Sequence, residues 1–557
     1  MTANASSSSG TARTDPPDPA SGSFEGSRLD LLETGRLSPV AAAALRGEAA
    51  ELLAPLRYLP ADTLPETNPS PPDRRALAAG LASANESYGH RRAAEMAAKL
   101  ADPRTAVVVT GQQPGLLGGP LYALSKMVAA ARWAHRLEAA GRPAVAVFWV
   151  ATEDHDFAEV SSVSSLAPEG VASFDLGEDP QPLLPVGMRT LGPGIGEVLA
   201  GLGEIVPGER GAAWWQTVGR WYRPNARFGE AFSRLMVHLL GERCPLLLDA
   251  LLPAVKEAQE PWLRRFIERR EAFAGAVAEA HERVRAAGLP LQVTPQPGAS
   301  PLFLLRGQER RRIEWRGPHR EAFALRGSDG PEEPVETLLE TLGDNPSVVG
   351  PGVLARPAIQ DAILGTTLQV LGPGELSYMV QAAAAYRVLE VAAPRTVLRP
   401  QILFLEPRHQ RWLRGLGLSL EELLGDPREL EGWLAAKAGI DPVGPAAQRI
   451  AGVLDEIRAP TLALDSNLEK PWRRTRDQIL KNLDQFSSRV RSAAARSNEV
   501  ETQRIEALRA LLLPGGRLQE RVVSSAYFPA KYGGGVVEAL WRQMDLDPRF
   551  LQSMALS

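Results

Sequence analysis

The chain has 557 residues, of which 44% are hydrophobic and 23% charged, and its net charge is -4 at pH 7. That balance is ordinary for a folded soluble chain, excludes general binding to nucleic acid or an anionic membrane, and at about 150 residues per domain leaves room for three or four structural units. A single cysteine, Cys244 in RCPLLLDALL, excludes an internal disulfide, and its apolar neighbours predict a buried, inert thiol.

The first 26 residues are rich in Ser, Gly, Pro and Asp and have no apolar signal core, which predicts a disordered tail. No later apolar run approaches the roughly 20 residues of a membrane span, so the expected location is cytoplasmic. Helical patterns occupy Pro39 to Leu53 and Arg74 to Leu100. AVVV from Ala106 is continuously apolar, as in a strand buried on both faces. The glycine-rich TGQQPGLLGGP follows it. Leu121, Leu124, Val128, Ala131 and Leu137 then recur at helical spacing, and AVAVFWVA from Ala144 reads as a second buried strand. Strand, loop, helix and strand in this order form a βαβ unit, which implies a parallel sheet.

From about 180 to 225 many Gly and Pro residues mark an insertion, and helical patterns resume from Ala226 to Gly288. LQVTPQPGASPLFLLRGQERRRIEWRG reads as strands or hairpins, TTLQVL as a strand, GPGELSYM as a helix start and TVLRPQILFLE as a further strand. The α/β core is therefore expected over 27–410. Residues 411–515 are helical in pattern, with an apolar stripe through Leu462, Leu464, Leu468, Trp472, Ile479, Leu483 and Phe486, and predict long antiparallel helices or a coiled coil. Residues 516–557 are expected to return to the core.

Three motifs carry chemistry. Thr110 to Pro120 follows a buried strand, at the carboxyl edge where parallel sheets bind ligands. Its glycines, including Gly119, allow close backbone approach, and Gln112 and Gln113 suit sugar hydroxyls or an adenine edge. A tight structural turn is the competing reading, and neither generic nucleotide motif is matched. TEDHDF follows the second strand and places Glu153, Asp154, His155 and Asp156 on the same edge, where His155 is a candidate general base. A solvated loop or part of a metal site are the alternatives. GPGELSY repeats the strand-turn-helix logic with Glu375 and Tyr378, against a plain helix-start role for Glu375. Arg356 and Arg399 precede prolines near element ends and could each grip a carboxylate, against surface ion pairing. His90, His135, His238, His281, His319 and His409 read as structural or solvated. No G-x-S-x-G, H-E-x-x-H or CxxC is present, and no metal is expected.

VVVTGQQPGLLGGPLYALSK followed by FWVATEDHDFAEV resembles the BshC family of bacillithiol biosynthesis. So do LQVTPQPGASPLFLL, ARPAIQDAILGTTLQVLGPGELSYMVQ, RTVLRPQILFLE and QERVVSSAYFPAKYGGGVVEAL. The resemblance runs from about residue 30 to the C-terminus. It implies a Rossmann-like parallel-sheet core with connecting-peptide insertions, an α-helical coiled-coil arm and a homodimer. It also implies a ligase that adds cysteine to the amine of glucosaminyl-malate, and a fold akin to nucleotidyltransferases and class I synthetases, which bind ATP.

On that basis the glycine loop and the following helix start are expected to hold a phosphate or the sugar, with Thr110, Gln112, Gln113, Gly119 and Tyr122 in contact with substrate. His155, oriented by Asp154 or Asp156 and flanked by Glu153, is expected to deprotonate the glucosamine amine. Arg356 and Arg399 are expected to hold carboxylates, Lys126 to neutralise charge, and Glu375 and Tyr378 to complete the site. The activating cosubstrate is left open between a nucleotide such as ATP and a preactivated cysteine. A second function class is a nucleotide-binding relative without ligase activity, kept as a dimeric binding protein.

Overall fold

The computed structural model describes residues 27–556 apart from 69–71, 169, 427, 429, 431–432, 435–442 and 498. The expected disordered tail over 1–26 lies outside the described residues. The chain divides into two compact units, one of 28–404 with 510–557 and one containing 405–509.

The larger unit is built on a six-stranded, wholly parallel sheet. Its order is Arg57–Tyr58, Arg395–Leu398, Thr366–Leu371, Ala106–Gln112, Ala144–Val150 and Leu246–Asp249. The apolar runs are continuous because both faces are covered. Val108, Ala146, Phe148 and Val150 pack into the cluster that contains helix Leu121–Ala139. Their neighbours Val107, Val109, Val145, Val147 and Trp149 point the other way, against Leu77, Leu81, Met96 and Leu100 of helices Arg75–Ser87 and Ala93–Ala101. One residue of register slip would reverse both sets.

Two readings of the chain are corrected here. Leu246–Asp249 is an edge strand of the parallel sheet and not part of a helix. TVLRPQILFLE forms two strands, because Arg399-Pro400 separates Arg395–Leu398 from Gln401–Leu405, which lies in a different sheet. The region around 180–225 holds helices Ile195–Ile205 and Glu209–Val218.

A second, antiparallel sheet of five strands has the order Glu333–Pro334, Ala322–Leu325, Glu309–Arg316, Ala299–Arg306, Val349–Pro351. Leu302, Leu304, Ile313 and Trp315 bury one of its faces in a core shared with helices Pro253–Glu268 and Pro373–Leu389. Phe303, Arg310 and Arg312 belong to the opposite phase of the alternation.

In the smaller unit the helices include Gly444–Glu456, Arg458–Leu464, Glu469–Ser497 and Glu499–Leu512. Trp472 ties two of them together by donating its indole N–H to the Leu454 carbonyl at 3.0 Å. No helix among the described residues is long and apolar enough to cross a membrane.

Candidate functional site

A cavity of about 680 Å³ opens in the larger unit. One wall is the carboxyl edge of the parallel sheet, and the other is the antiparallel sheet with helix Arg270–Ala286.

The sheet register brings the first wall together. Gln112 pairs with Val150, so the loops that leave these two strands lie side by side. Gln113 donates from Nε2 to Asp154 Oδ2 at 2.6 Å, and Asp154 Oδ1 accepts the His155 backbone N–H at 2.7 Å. Asp156 accepts from the Glu159 N–H at 3.2 Å and so caps the short helix Phe157–Val160. Glu159, also in this wall, has its carboxyl pushed up by burial and by the negative charges of Asp154 and Asp156. Glu153 turns inward and is in direct contact with the buried Lys256 ammonium. Burial first, with Arg310 nearby, pushes Lys256 down to about 7.

The second wall is basic. Phe303 faces Arg312 across the hairpin, and the guanidinium carbons of Arg310 and Arg312 lie 3.7 and 5.5 Å from the centre of its ring. Arg310 donates to His155 Nδ1 at 3.1 Å and to the Pro351 carbonyl at 3.3 Å. Burial pushes Arg310 down to about 10. Phe273, Val277, Val293 and Trp315 give this side an apolar floor.

His155 therefore stands at the seam between the walls. A guanidinium has no acceptor, so Nδ1 must accept and a neutral ring carries its proton on Nε2. Asp154 or Asp156 was expected to orient the ring, and the hydrogen-bond partner of Nδ1 in the structure is Arg310. Asp154 Oδ1 is 3.9 Å from Nδ1, and Asp156 is occupied as a helix cap. Burial first and Arg310 second push the His155 imidazole below its ordinary value, against the pull of Asp154 and Asp156.

Of the residues expected at the site, the cavity gathers Gln112, Gln113, Glu153, Asp154, His155, Asp156, Arg356, Glu375 and Tyr378. Arg356 is held by Gln360 Oε1 and the Tyr378 hydroxyl, each at 2.9 Å. Glu375 accepts the Gly372 N–H at 2.6 Å in a capping box and pairs with Lys126 at 2.5 Å, so the helix-start role is present.

Thr110, Gly119, Tyr122, Lys126 and Arg399 do not line this cavity. The Thr110 hydroxyl donates across the sheet to the Val370 carbonyl at 2.7 Å. Lys126 is buried and gives its protons to Gly111 O at 2.8 Å, Gln112 Oε1 at 2.9 Å and Glu375, which positions the loop from beneath. Arg399 makes a buried, bidentate pair with Glu520 at 2.8 and 2.6 Å, and Tyr122 lies beside it, its ring centre 5.3 Å from the guanidinium carbon. Both cations have carboxylate partners within the protein, Glu375 for Lys126 and Glu520 for Arg399.

The expected phosphate or sugar site at the start of helix Leu121–Ala139 lies against the closing segment. The Leu121 N–H donates to Val523 O at 2.7 Å, Ser525 N–H to Gly119 O at 2.8 Å, and the Ser524 hydroxyl to Leu117 O at 3.0 Å. The closing segment thus packs against that helix end and takes up its Leu121 N–H. Gly119 has φ +64°, and a Cβ on Gly115 would lie 2.6 Å from the Gly119 Cα, so these glycines serve a tight crossing of the loop on itself.

Arg310, Arg312, Phe303, Lys256 and Glu159 were not singled out from the sequence. The available signal was the alternation of Arg310 and Arg312 on one strand phase opposite Phe303. His281 also lines the cavity, its Nε2 bonded to the Gln381 amide at 2.8 Å. Cys244 is buried, and burial pushes its thiol up. Among the described residues no group of three or more His, Cys, Asp or Glu is placed to hold a metal ion.

Comparison with known proteins fits this architecture. Residues 61–400 match the model of the N-terminal Rossmann-like domain of bacillithiol biosynthesis BshC, and residues 402–548 match the model of its C-terminal coiled-coil domain. A relative from Salinibacter ruber is 30% identical over 86% of this chain and 88% of its own length. One from Heliobacterium modesticaldum is 30% identical over 81% and 83%, and one from Thermus thermophilus is 31% identical over 78% and 86%. Each is named "Putative cysteine ligase BshC". The chain belongs to the BshC family.

Proposed function

We propose that this BshC-family ligase uses the cavity to join the carboxyl group of cysteine to the glucosamine amine of glucosaminyl-malate. The observation that carries the reading is the opposition of an acidic, amide-bearing wall and an arginine wall across one space of about 680 Å³. The acceptor has matching chemistry: hydroxyls and an ammonium group on one side, two carboxylates on the other. Gln113, Asp154 and Glu159 suit the hydroxyls and the ammonium. Arg310, Arg312 and Arg356 suit the carboxylates. His155, between the walls, is the proposed base for the amine.

Amide formation from a free carboxylate in water requires activation of the cysteine carboxyl. A nucleotide such as ATP would supply this by converting a carboxylate oxygen into a leaving group. The Leu121 N–H at the helix end beside Gly119 already donates to Val523 O, and the cavity arginines suit an anionic cosubstrate.

The test is purified protein with cysteine, glucosaminyl-malate and ATP, followed by mass spectrometry for bacillithiol and by nucleotide analysis for AMP or ADP. Product formation coupled to nucleotide cleavage is expected. In cells, deleting the gene should make glucosaminyl-malate accumulate, and normal bacillithiol in the deletion would overturn the proposal in favour of a binding protein. A homodimer is proposed with it. Val453, Ile457, Leu464 and Phe486 are large apolar residues left exposed on the helical unit, as a surface for a second copy requires. Leu464→Glu with Phe486→Glu should shift sedimentation to the monomer, and an unchanged dimer would refute that surface.

A further inference from the structure

Arg310 is a buried cation in the cavity wall, yet among the described residues no carboxylate lies within ion-pair distance of it. Its side-chain hydrogen-bond partners among the described residues are both neutral, the His155 imidazole and the Pro351 carbonyl. Arg312, two residues along the strand and also facing the cavity, likewise has no carboxylate partner; it reaches only Gln296 Oε1, at 3.4 Å. The contrast with Arg399, Arg189 and Lys256 is chemical. Each of these buried cations has a carboxylate of its own. An enclosed guanidinium without an anion is costly unless a ligand provides one.

We infer that Arg310 and Arg312, set around the Phe303 ring, are the receptor for a carboxylate of the acceptor substrate, and that its arrival frees Nδ1 of His155. The inference rests on the proposed function for the identity of that substrate. Phe303 holds both planes by cation–π contact and leaves N–H donors of the two guanidinium groups without protein acceptors among the described residues. A carboxylate is a stronger acceptor than a neutral imidazole for the Arg310 Nη1 donor. When it takes that hydrogen bond, the Nδ1 lone pair is released. Nδ1 can then accept one proton of the glucosamine ammonium, giving an imidazolium and a neutral amine whose lone pair attacks the activated cysteine carboxyl; as the new C–N bond forms, the C–O bond to the phosphate of the nucleotide-activated carboxyl breaks, and the phosphate leaves with that electron pair and takes up the second amine proton. The base is thus uncovered only when the acceptor is in place.

The experiment uses the full-length protein and reads binding apart from catalysis. L-malate is titrated calorimetrically into wild type, Arg310→Lys, Arg310→Gln and Arg312→Gln, each checked for an intact unfolding transition. Arg312→Gln should weaken malate about 10-fold and Arg310→Gln about 100-fold, the scale of one and two charge-assisted hydrogen bonds. KM for glucosaminyl-malate should rise in parallel. If Arg310→Gln fails to fold, Arg310→Lys and Arg312→Gln decide. Unchanged malate affinity in these folded variants would overturn the receptor even where ligase activity is intact. Absence of ligase activity in the wild type, with malate binding still dependent on Arg310, would instead overturn the proposed reaction and leave the receptor standing. Inorganic phosphate is the second probe, and tight phosphate binding without malate binding would reverse the choice of carboxylate. In ¹⁵N-histidine-labelled protein, the Nδ1 resonance assigned through His155→Gln should move on malate saturation. A resonance that stays in place would overturn the release step.

Discussion

The two walls of the cavity are satisfied in opposite ways. On the carboxyl edge of the parallel sheet, nearly every charged group has a partner of its own: Gln113 with Asp154, Glu153 with Lys256, Asp156 with the Glu159 N–H, Glu375 with Lys126. Across the space, Arg310 and Arg312 have no carboxylate among the described residues. The first wall is a folded network with polar edges turned to the ligand. The second is left electrostatically incomplete. Substitutions in the first should therefore register mainly as lost stability, and those in the second mainly as lost binding.

The largest effect tests the deepest pair. Glu153→Ala leaves the Lys256 ammonium buried without its carboxylate and is expected to cost about 3–5 kcal/mol. Urea unfolding followed by tryptophan fluorescence measures it as a lower midpoint at constant m. Glu153→Leu combined with Lys256→Met should recover most of the loss, because the pair is then replaced by apolar volume. If Glu153→Ala unfolds like the wild type, the acidic wall is not the rigid member of the comparison. Asp154→Ala comes next. It removes the acceptor of both the Gln113 amide and the His155 N–H, and about 1–3 kcal/mol is expected from stranded donors. Gln113→Ala in the same background should add little, since the two share one interaction; full additivity in that cycle would contradict the contact.

How far the sequence revealed each wall follows from the same contrast. TGQQ and TEDHDF are contiguous and each follows an apolar run, so both their chemistry and their place at a sheet edge are legible from local pattern. The arginine wall is not contiguous. In ERRRIEWR, Arg310 and Arg312 look like any charged hairpin, and only the pairing with Phe303 and the approach of Pro351 separate them from Arg311, which bonds to Glu309 and the Arg326 carbonyl. The internal partners of Lys126 and Arg399 were hidden for a related reason. The carboxylate that neutralises each is remote in sequence: Glu375 lies about 250 residues beyond Lys126, and Glu520 is 121 residues from Arg399. The strand Leu246–Asp249 was missed because a four-residue stretch, three leucines and an aspartate, does not distinguish a period of 2 from one of 3.6. The Rossmann-like core, by contrast, rests on two seven-residue strands and a 19-residue helix, long enough for their patterns to decide.

His155 at the seam should show a smaller, pH-dependent effect. Its folded-state pKa lies below the unfolded value because of burial and Arg310. The unfolded chain therefore binds more protons in the window just below about 6.5, and stability falls with pH there. The stability is fully present above the unfolded pKa and is lost as pH drops through the folded one. His90, His238 and His281 are depressed by burial as well, so the measurement is a difference. His155→Gln should flatten, without abolishing, the fall in unfolding free energy between pH 7 and 5. An identical slope in the variant would mean that the folded protein does not depress the ring.

The smallest expected change is the sharpest test of the contrast. Arg312 holds only a 3.4 Å contact to Gln296 and a distant face of Phe303. It also sits near Arg326, whose like charge, after burial, lowers its pKa. Arg312→Gln removes a half-buried charge that no carboxylate contacts among the described residues, Glu314 acting on it only at longer range, and the variant can still offer an amide to Gln296. Its unfolding free energy is therefore expected to stay within about 0.5 kcal/mol of the wild type, or to rise slightly as repulsion is relieved. A loss comparable to that of Asp154→Ala would show that Arg312 is as internally satisfied as the acidic wall, and the distinction between a wall built for the fold and a wall left open for the ligand would collapse.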